Sequence, residues 1–399
     1  MTEIFKYLKG DRALWVIAFI FAMLSIVAVY SFVPVLVAQQ GGSTEGHLIK
    51  HTIILVTGMA IMFYTHKINY TFLARLAKLL FWTSVVLLIL TLLVGKNING
   101  AKRWIEIPVV NQSFQTSDFA KLALLIYTAK MLVQKREYFN DFKTGVWPVL
   151  WPILLVCGLI LPQDFSTAGM LFGICMILLF IANVPFKYMM MIFGGMIVGL
   201  MLIFALGKSI PGAFPRLDTW TSRIEAFWKS SDEVDKDDRD QLEKAYYAIA
   251  NGGITGAGAG KGEYKKRMFA APADLFTAAF IEEYGLIGVI VLLSFFLMIL
   301  FRSLKIAVNC SKNFGMYLCI GIGVALMCQA LINMAVPTGL VPMTGQNMPL
   351  LGLGGTSIWF TCISLGIIIS ISRDVYQDKH VETNNLDKKE SKDDNYVVA

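Results

Sequence analysis

The sequence predicts an all-α polytopic membrane protein of about ten transmembrane helices, with both termini cytoplasmic and one long extracytoplasmic loop. Three observations predict it. Apolar residues make up 56% of the 399 residues and charged residues only 16%, against about 25% charge in an average soluble domain. The apolar residues are bunched into runs of the length needed to cross a hydrocarbon core of about 30 Å. The short connections between the runs alternate in their content of Lys and Arg. A mean hydropathy of +0.61 excludes an ordinary soluble enzyme, a disordered chain and a nucleic-acid binder.

The apolar segments fall near 14–38, 49–64, 73–95, 118–133, 147–161, 165–182, 187–206, 275–301, 315–336 and 350–372. The first has no small-residue cleavage site after it and reads as a retained span. The shortest are 49–64 and 147–161. Lys6, Lys9 and Arg12 precede the first run, and Lys67 with Arg75, Lys135 with Arg136 and Lys143, and Arg302 with Lys305 and Lys312 occupy the second, fourth and eighth connections. The first connection holds only Lys50, and the fifth and ninth hold no basic residue. The third, with Lys96, Lys102 and Arg103, breaks the alternation. The pattern puts both termini in the cytoplasm and the loop 207–273 outside, since long loops do not count in this rule. A membrane domain is therefore expected over 1–373. The polar tail 374–399 lacks apolar periodicity and is expected to be a disordered cytoplasmic segment. Within the long loop, Ser230–Leu242 is mostly charged and reads as a solvated turn or helix.

Six cysteines lie mostly inside apolar runs, which reads as buried thiols without a disulfide framework. His47 and His51 have i, i+4 spacing, but no neighbouring Cys or carboxylate completes a metal site, so an interfacial pair is the better reading. No Ser/His/Asp or Cys/His set can be assembled, and a catalyst in this chain must be a carboxylate.

Charged residues at membrane depth are costly and therefore candidates for function. On the expected orientation they gather at the outer boundary. Asp118 opens the fourth span, and Lys121 follows one turn later on the same face. Asp164 sits in the tight turn Pro162–Gln163–Asp164 between spans five and six. Asp274 immediately precedes the eighth span, and Glu282 and Glu283 lie about 12 Å deeper at 1.5 Å rise per residue. For each singly, a structural ion pair (Lys121 with Asp118 or Asp164) competes evenly with a functional role; their convergence on one leaflet favours a site. Lys265, Lys266 and Arg267, just upstream of Asp274, suit a solvated face, lipid headgroups or neutralisation of a diphosphate.

The stretch Gly252–Gly262 resembles a phosphate loop but is not a Walker A motif. Thr255 stands at the first-Gly position relative to Gly260–Lys261, and Gly262 replaces the required Ser/Thr. A hinge or close-packed loop is the better reading, with a subsidiary phosphate contact through its N–H groups left open.

Five blocks in order resemble the SEDS family of cell-wall polymerases (shape, elongation, division and sporulation), over roughly residues 10–375. They are Asn99–Ile105; Phe114–Leu122, like FQPSE-x-AKL; Gln163–Thr167, like QPDFGT; the glycine stretch followed by Asp274 and Glu282–Gly285, like a glycine-rich loop followed by TDF and EELG; and Thr338–Pro342 with Pro349–Leu350 and Gly354–Ser357, like TGLLP and LPFISYGGSS. Thr116 replaces a Pro, Asp118 a Glu, Ser166 a Gly, Pro272 the usual His, and Gly352–Leu353 a Ser-Tyr pair. Charge types survive in all of these.

The resemblance implies a peptidoglycan glycosyltransferase of the bacterial cytoplasmic membrane that polymerises lipid II at the outer face. It resembles the division member (FtsW type) more than the elongation member (RodA type). By position, Asp274 would be the catalytic Asp. Arg103, Trp104, Asp118, Lys121, Gln163, Asp164, Arg267, Glu282 and Glu283 would bind substrate or brace the cavity. One carboxylate base suffices for an acceptor hydroxyl attacking an already activated diphosphate donor, unlike an ordinary glycoside, which needs a second carboxyl acid. The diphosphate calls for a cation: Lys121, Arg103, an arginine near 267, or a bound divalent ion, magnesium or manganese. Implied partners are a class B penicillin-binding protein, other divisome or elongasome membrane proteins and membrane lipid, with no nucleic acid. The chain has no transpeptidase Ser-x-x-Lys set on an extracytoplasmic domain, so cross-linking must come from elsewhere. The competing functions are a flippase for a lipid-linked precursor and a scaffold that recruits a partner. Charges confined to one leaflet and the lack of an apparent inverted repeat argue against the first, and Asp274 against the second.

Overall fold

A computed structural model describes residues 8–98, 101–107, 112–209, 220–221, 236–268, 274–352 and 355–397, with side chains described to residue 377. Asn99, Gly100, Pro272, Leu353 and Gly354 of the sequence motifs, Lys6, and most of Ser230–Leu242 lie outside the described residues or side chains.

All ten expected spans are helices: α1 Arg12–Gln40, α2 Thr44–Lys67, α3 Tyr70–Val94, α4 Thr116–Lys135, α5 Trp147–Ile160, α6 Phe165–Ile181, α7 Phe186–Ser209, α9 Phe276–Val308, α10 Asn313–Ala335 and α11 Gly355–Val397. Eight are long and apolar enough to cross a membrane, α5 together with the π-turn Phe142–Val146 before it. Of the other two, α6 is shorter, and α4 carries Asp118, Lys121 and Lys130. Helix α4 nevertheless lies inside the bundle, with Ala120, Leu124, Ala129 and Leu132 fully buried, and Asp118 and Lys121 find protein partners there. Helices α10 and α11 are the most enclosed, whereas α7 is hardly buried.

Local chemistry starts the first helices where the hydropathy does. Asp11 caps α1 by accepting from the N–H groups of Ala13 at 2.9 Å and Leu14 at 3.3 Å. Ser43 caps α2 and Asn69 caps α3, each satisfying N–H groups that have no partner within the helix.

Three elements depart from the expectation. The third connection is an antiparallel sheet, β1 Lys96–Ile98, β2 Ala101–Ile107 and β3 Gln112–Gln115, with Trp104 opposite Gln115 and Ile105 opposite Phe114. The long loop contains α8, Lys236–Gly252, which buries Ala245 and Ala248 completely and packs on α9. The polar tail continues the last helix as far as Val397. Extending a formed helix adds one hydrogen bond per residue without a new nucleus, and 374–399 holds no Gly or Pro to stop it.

Helix α9 breaks at Gly285, whose φ of 67° and ψ of −173° are non-helical. Every residue from Leu275 to Glu283 is buried, whereas Leu286, Ile287, Ile290 and Val291 beyond the break are exposed. The first segment is thus wrapped by protein on all sides, and the second presents an apolar face.

Helix α1 runs alongside α9. Aromatic pairs lie along the seam, Phe32 with Phe276 at 5.6 Å and Phe21 with Phe296 at 4.9 Å. At the Asp11 end Arg302 donates to Asp11 through Nε at 2.8 Å and through Nη2, and the Asp11 N–H donates to Ser372 of α11 at 2.9 Å. Asp11 is buried, so Asp11→Ala strands the arginine and removes the cap. A loss of about 3–5 kcal/mol in stability is expected, read as a lower thermal midpoint in detergent.

Candidate active site

Asp118, Asp164 and Asp274 stand at the starts of α4, α6 and α9, the end of the bundle opposite Asp11. Asp118 Oδ1 lies 2.8 Å from Lys121 Nζ, the pair expected from the i, i+3 spacing. Asp118 is buried and its Oδ2 has no hydrogen-bond partner. Lys121 also donates to Gln329 Oε1 on α10 at 3.4 Å. These three side chains line a small pocket together with Leu125, Met170, Ile322 and the hydroxyl-bearing Ser357, Thr361 and Ser364 of α11. A buried carboxylate oxygen without a donor, beside an ammonium, suits a ligand that brings both hydrogen-bond donors and negative charge.

A second group surrounds Asp164, which caps α6 by accepting from Thr167 N–H at 3.1 Å and from Ser166 Oγ at 2.9 Å. Arg103 of β2 reaches it, with Nη1 3.2 Å from Asp164 Oδ2, an ion pair out of line for a hydrogen bond. Arg103 Nε donates to the Gln163 carbonyl at 2.9 Å. A small pocket adjoins this group, lined by Arg103, Gln163, Asp164, Thr116 and the apolar Leu88, Leu92 and Leu159. The arginine lies against Gly345, where a Cβ would stand 2.7 Å from Nη1 and the φ of 77° favours glycine. Trp104 is half-buried in the sheet beside Arg103.

Residues absent from the sequence reading join the two groups. Gln329 Nε2 donates to the Asn347 carbonyl at 2.8 Å, and Asn333, one turn on, donates to the Gln346 carbonyl at 2.7 Å. Gln346 donates to Thr167 Oγ1, and Ser166 Oγ to the Thr344 carbonyl at 2.6 Å. Thr277 Oγ1 donates to Asn333 Oδ1 at 2.9 Å. The network therefore runs from Lys121 and Asp164 to Thr277, three residues after Asp274. The legible signal was Gln329 and Asn333 at i, i+4 inside an apolar run. Asp274 itself is half-buried, in the turn that leads into α9.

Glu282 and Glu283 serve the glycine loop. Glu282 accepts from the N–H groups of Glu263 at 2.7 Å, Tyr264 at 2.9 Å and Lys265 at 3.0 Å, and from Asn251 at 3.3 Å. It thereby holds the 3₁₀ turn Tyr264–Arg267. Glu283 accepts from Gly260 N–H at 3.0 Å, from Lys265 Nζ and from Ser31 Oγ of α1. Lys265 is fully buried in this pairing and is not available to a diphosphate; Lys266 and Arg267 are exposed.

The glycine stretch is a close-packed loop. At the break in α9 the carbonyls of Glu282 and Glu283 accept from Ala257 at 2.9 Å and Gly258 at 3.0 Å, and the N–H groups of Leu286 and Ile287 donate to Gly253 at 3.0 Å and Ile254 at 3.2 Å. The loop thus satisfies backbone groups that the break exposes on both sides. A Cβ on Gly256 would stand 2.2 Å from the Glu283 carbonyl oxygen, and one on Gly252 2.1 Å from that of Ile281. Gly256→Val is expected to cost more than about 4 kcal/mol, measured as loss of the thermal transition in detergent.

His47 bonds the Gly41 carbonyl at 2.8 Å and His51 bonds Ser25 at 2.9 Å, so the two histidines have separate partners. Among the described residues no three His, Cys, Asp or Glu side chains are grouped to hold a metal ion. Lys121 and Arg103 bring positive charge to the two groups. All six cysteines are free thiols, four of them buried and Cys310 and Cys328 half-buried.

The FtsW/RodA/SpoVE family profile, described as cell cycle protein, matches residues 11–377. A probable peptidoglycan glycosyltransferase FtsW of Trichlorobacter lovleyi is 30% identical over 374 residues, covering 92% of this chain and 94% of the relative. Stage V sporulation protein E of Bacillus subtilis is 28% identical over 372 residues, 92% of this chain and 98% of the relative. Among solved structures, a chain of a peptidoglycan synthase complex that coordinates polymerization and crosslinking superposes with a TM-score of 0.72 at 24% identity, covering 92% of this chain and 99% of that one. The rod shape determining protein RodA of Thermus thermophilus superposes with a TM-score of 0.63 at 24% identity, 92% and 98% covered. With residues 11–377 matched by the profile, this chain belongs to the FtsW/RodA/SpoVE family of cell cycle proteins.

Proposed function

We propose that this multi-pass protein of the bacterial inner membrane is a peptidoglycan glycosyltransferase of the division type, polymerising lipid II with Asp274 as general base. One observation carries the reading. The Asp118–Lys121 pair, with Asp118 Oδ2 lacking a hydrogen bond, and the Arg103–Asp164 pair line pockets at one end of the bundle, and one hydrogen-bond network ties them to the start of α9, beside Asp274.

In this mechanism Asp274 takes the proton from the acceptor sugar hydroxyl as its oxygen bonds to the anomeric carbon of the donor. The bond to the polyprenyl diphosphate breaks, and the diphosphate leaves with the electron pair. The leaving group is stable as an anion, so positive charge matters more than a proton donor. Lys121 and Arg103 supply that charge from positions fixed by Asp118 and Asp164, and preorganised charge is usually a large catalytic contribution. Apolar walls beside the polar end suit a substrate with a lipid tail. A divalent cation, magnesium or manganese, would add to this positive charge at the diphosphate. The transpeptidase that cross-links the strands is a separate chain, a class B penicillin-binding protein, consistent with the synthase complex to which this fold is similar.

The test is formation of glycan strands from labelled lipid II by the purified chain with its cognate penicillin-binding partner. Polymer is expected. Transbilayer movement of lipid II in liposomes without polymer would replace this reading with the flippase.

A further inference from the structure

Lys265 and Glu283 lie nine positions either side of Asp274 in sequence and meet in a buried contact, with 269–273 outside the described residues. Ser31 of α1 bonds to both. Glu282 fixes three successive N–H groups on one arm of the segment, and Met268 on the same arm is fully buried. The other arm, Leu275 to Glu283, is enclosed by protein along its whole length, and α1 is itself anchored to α9 at its far end by Asp11 and Arg302. Two buried carboxylates and one buried lysine are a costly way to hold a loop that backbone bonds already dock.

We infer that Lys265, Glu283 and Ser31 form a clamp whose role is to position Asp274 for proton abstraction, with α1 as the fixed strut. The inference rests on the reading of Asp274 as the base. Lys265, Glu283 and Ser31 are positioning residues: they set where the carboxylate stands and touch no reacting atom. A misplacement of about 1 Å at such a group costs on the order of 10²-fold in rate.

The experiment uses the full chain with its penicillin-binding partner and labelled lipid II. In Lys265→Met/Glu283→Leu both charges are replaced by apolar groups, a change that buried pairs often tolerate in stability. The clamp predicts a thermal midpoint near wild type, KM for lipid II within about twofold and kcat lowered at least about tenfold. Lys265→Arg, which keeps the charge and the donors, is expected to recover most of the rate. Wild-type kcat in the folded double variant would overturn the inference. If the double variant does not fold, Ser31→Ala decides: a lower kcat at unchanged thermal midpoint supports the clamp, and full kcat overturns it. Asp274→Asn separates the two readings. Wild-type rate in that variant would sink Asp274 as base, whereas an inactive Asp274→Asn beside a fully active clamp variant would sink the clamp alone.

Discussion

Asp274→Asn should fold and insert as the wild type does and lose about 10²–10⁴-fold in kcat for lipid II polymerisation, the range of a general base. The amide keeps the size of the carboxylate and removes the basic oxygen, so the loss should appear in kcat with KM little changed. Asp274→Glu keeps the base but moves it by a methylene. It should retain partial activity, because proton transfer requires heavy-atom approach within about 3 Å. The side chain is half-buried in the turn before α9, outside the packed interior, and folding should tolerate either change. The assay is turnover of labelled lipid II by protein whose thermal midpoint in detergent is measured in parallel.

Lys121→Met should have the next largest effect, about 10²–10³-fold in rate, the cost of removing one preorganised charge from a developing anion. It also strands Asp118, whose Oδ2 already lacks a hydrogen-bond partner, and stability should fall by about 3–5 kcal/mol. The double variant Asp118→Asn/Lys121→Met separates the two effects. It removes both charges, so the thermal midpoint should recover while the rate does not. Recovery of both would make the pair a structural ion pair only, the alternative that the i, i+3 spacing left open. Asp118→Asn alone should lower activity less than Lys121→Met, because the ammonium stays in the cavity.

The sequence carried the helices well because a membrane allows few choices: apolar runs of spanning length must be helices that satisfy their own backbone. It also placed Asp118 against Lys121, since helical spacing dictates that contact. What it hid was non-local. Arg103 meets Asp164 across 61 positions because β2, packed against α3 and α4, sends its side chain to the turn before α6, and a connection read as a loop gave no reason to expect that. The alternation of Arg103, Ile105 and Ile107 with Lys102, Trp104 and Glu106 was the available strand signal. Helix α8 was legible too, from Ala245, Ala248 and Ile249 at helical spacing, but the charges before it drew attention to solvent. Gln329 and Asn333 were passed over as uncharged. Their importance is visible only where the 344–347 carbonyls arrive beside them.

Glu282 and Glu283 were expected to bind substrate or brace the cavity. Their hydrogen bonds go to backbone N–H groups of the glycine loop and the turn after it and to Lys265, contacts that span the break at Gly285. The glycines that resembled a phosphate cradle are small because the loop carbonyls and α9 approach each other too closely for a Cβ.

The central claim is that this end of the bundle makes glycosidic bonds with the Asp274 carboxylate. The most direct measurement is a single-turnover reaction of wild type and Asp274→Asn, each saturated with labelled lipid II in the presence of the penicillin-binding partner, with bound lipid II counted separately. The account predicts equal binding and rapid strand formation in wild type, with the variant slower by at least about 10²-fold. Equal binding with equal rates would contradict it.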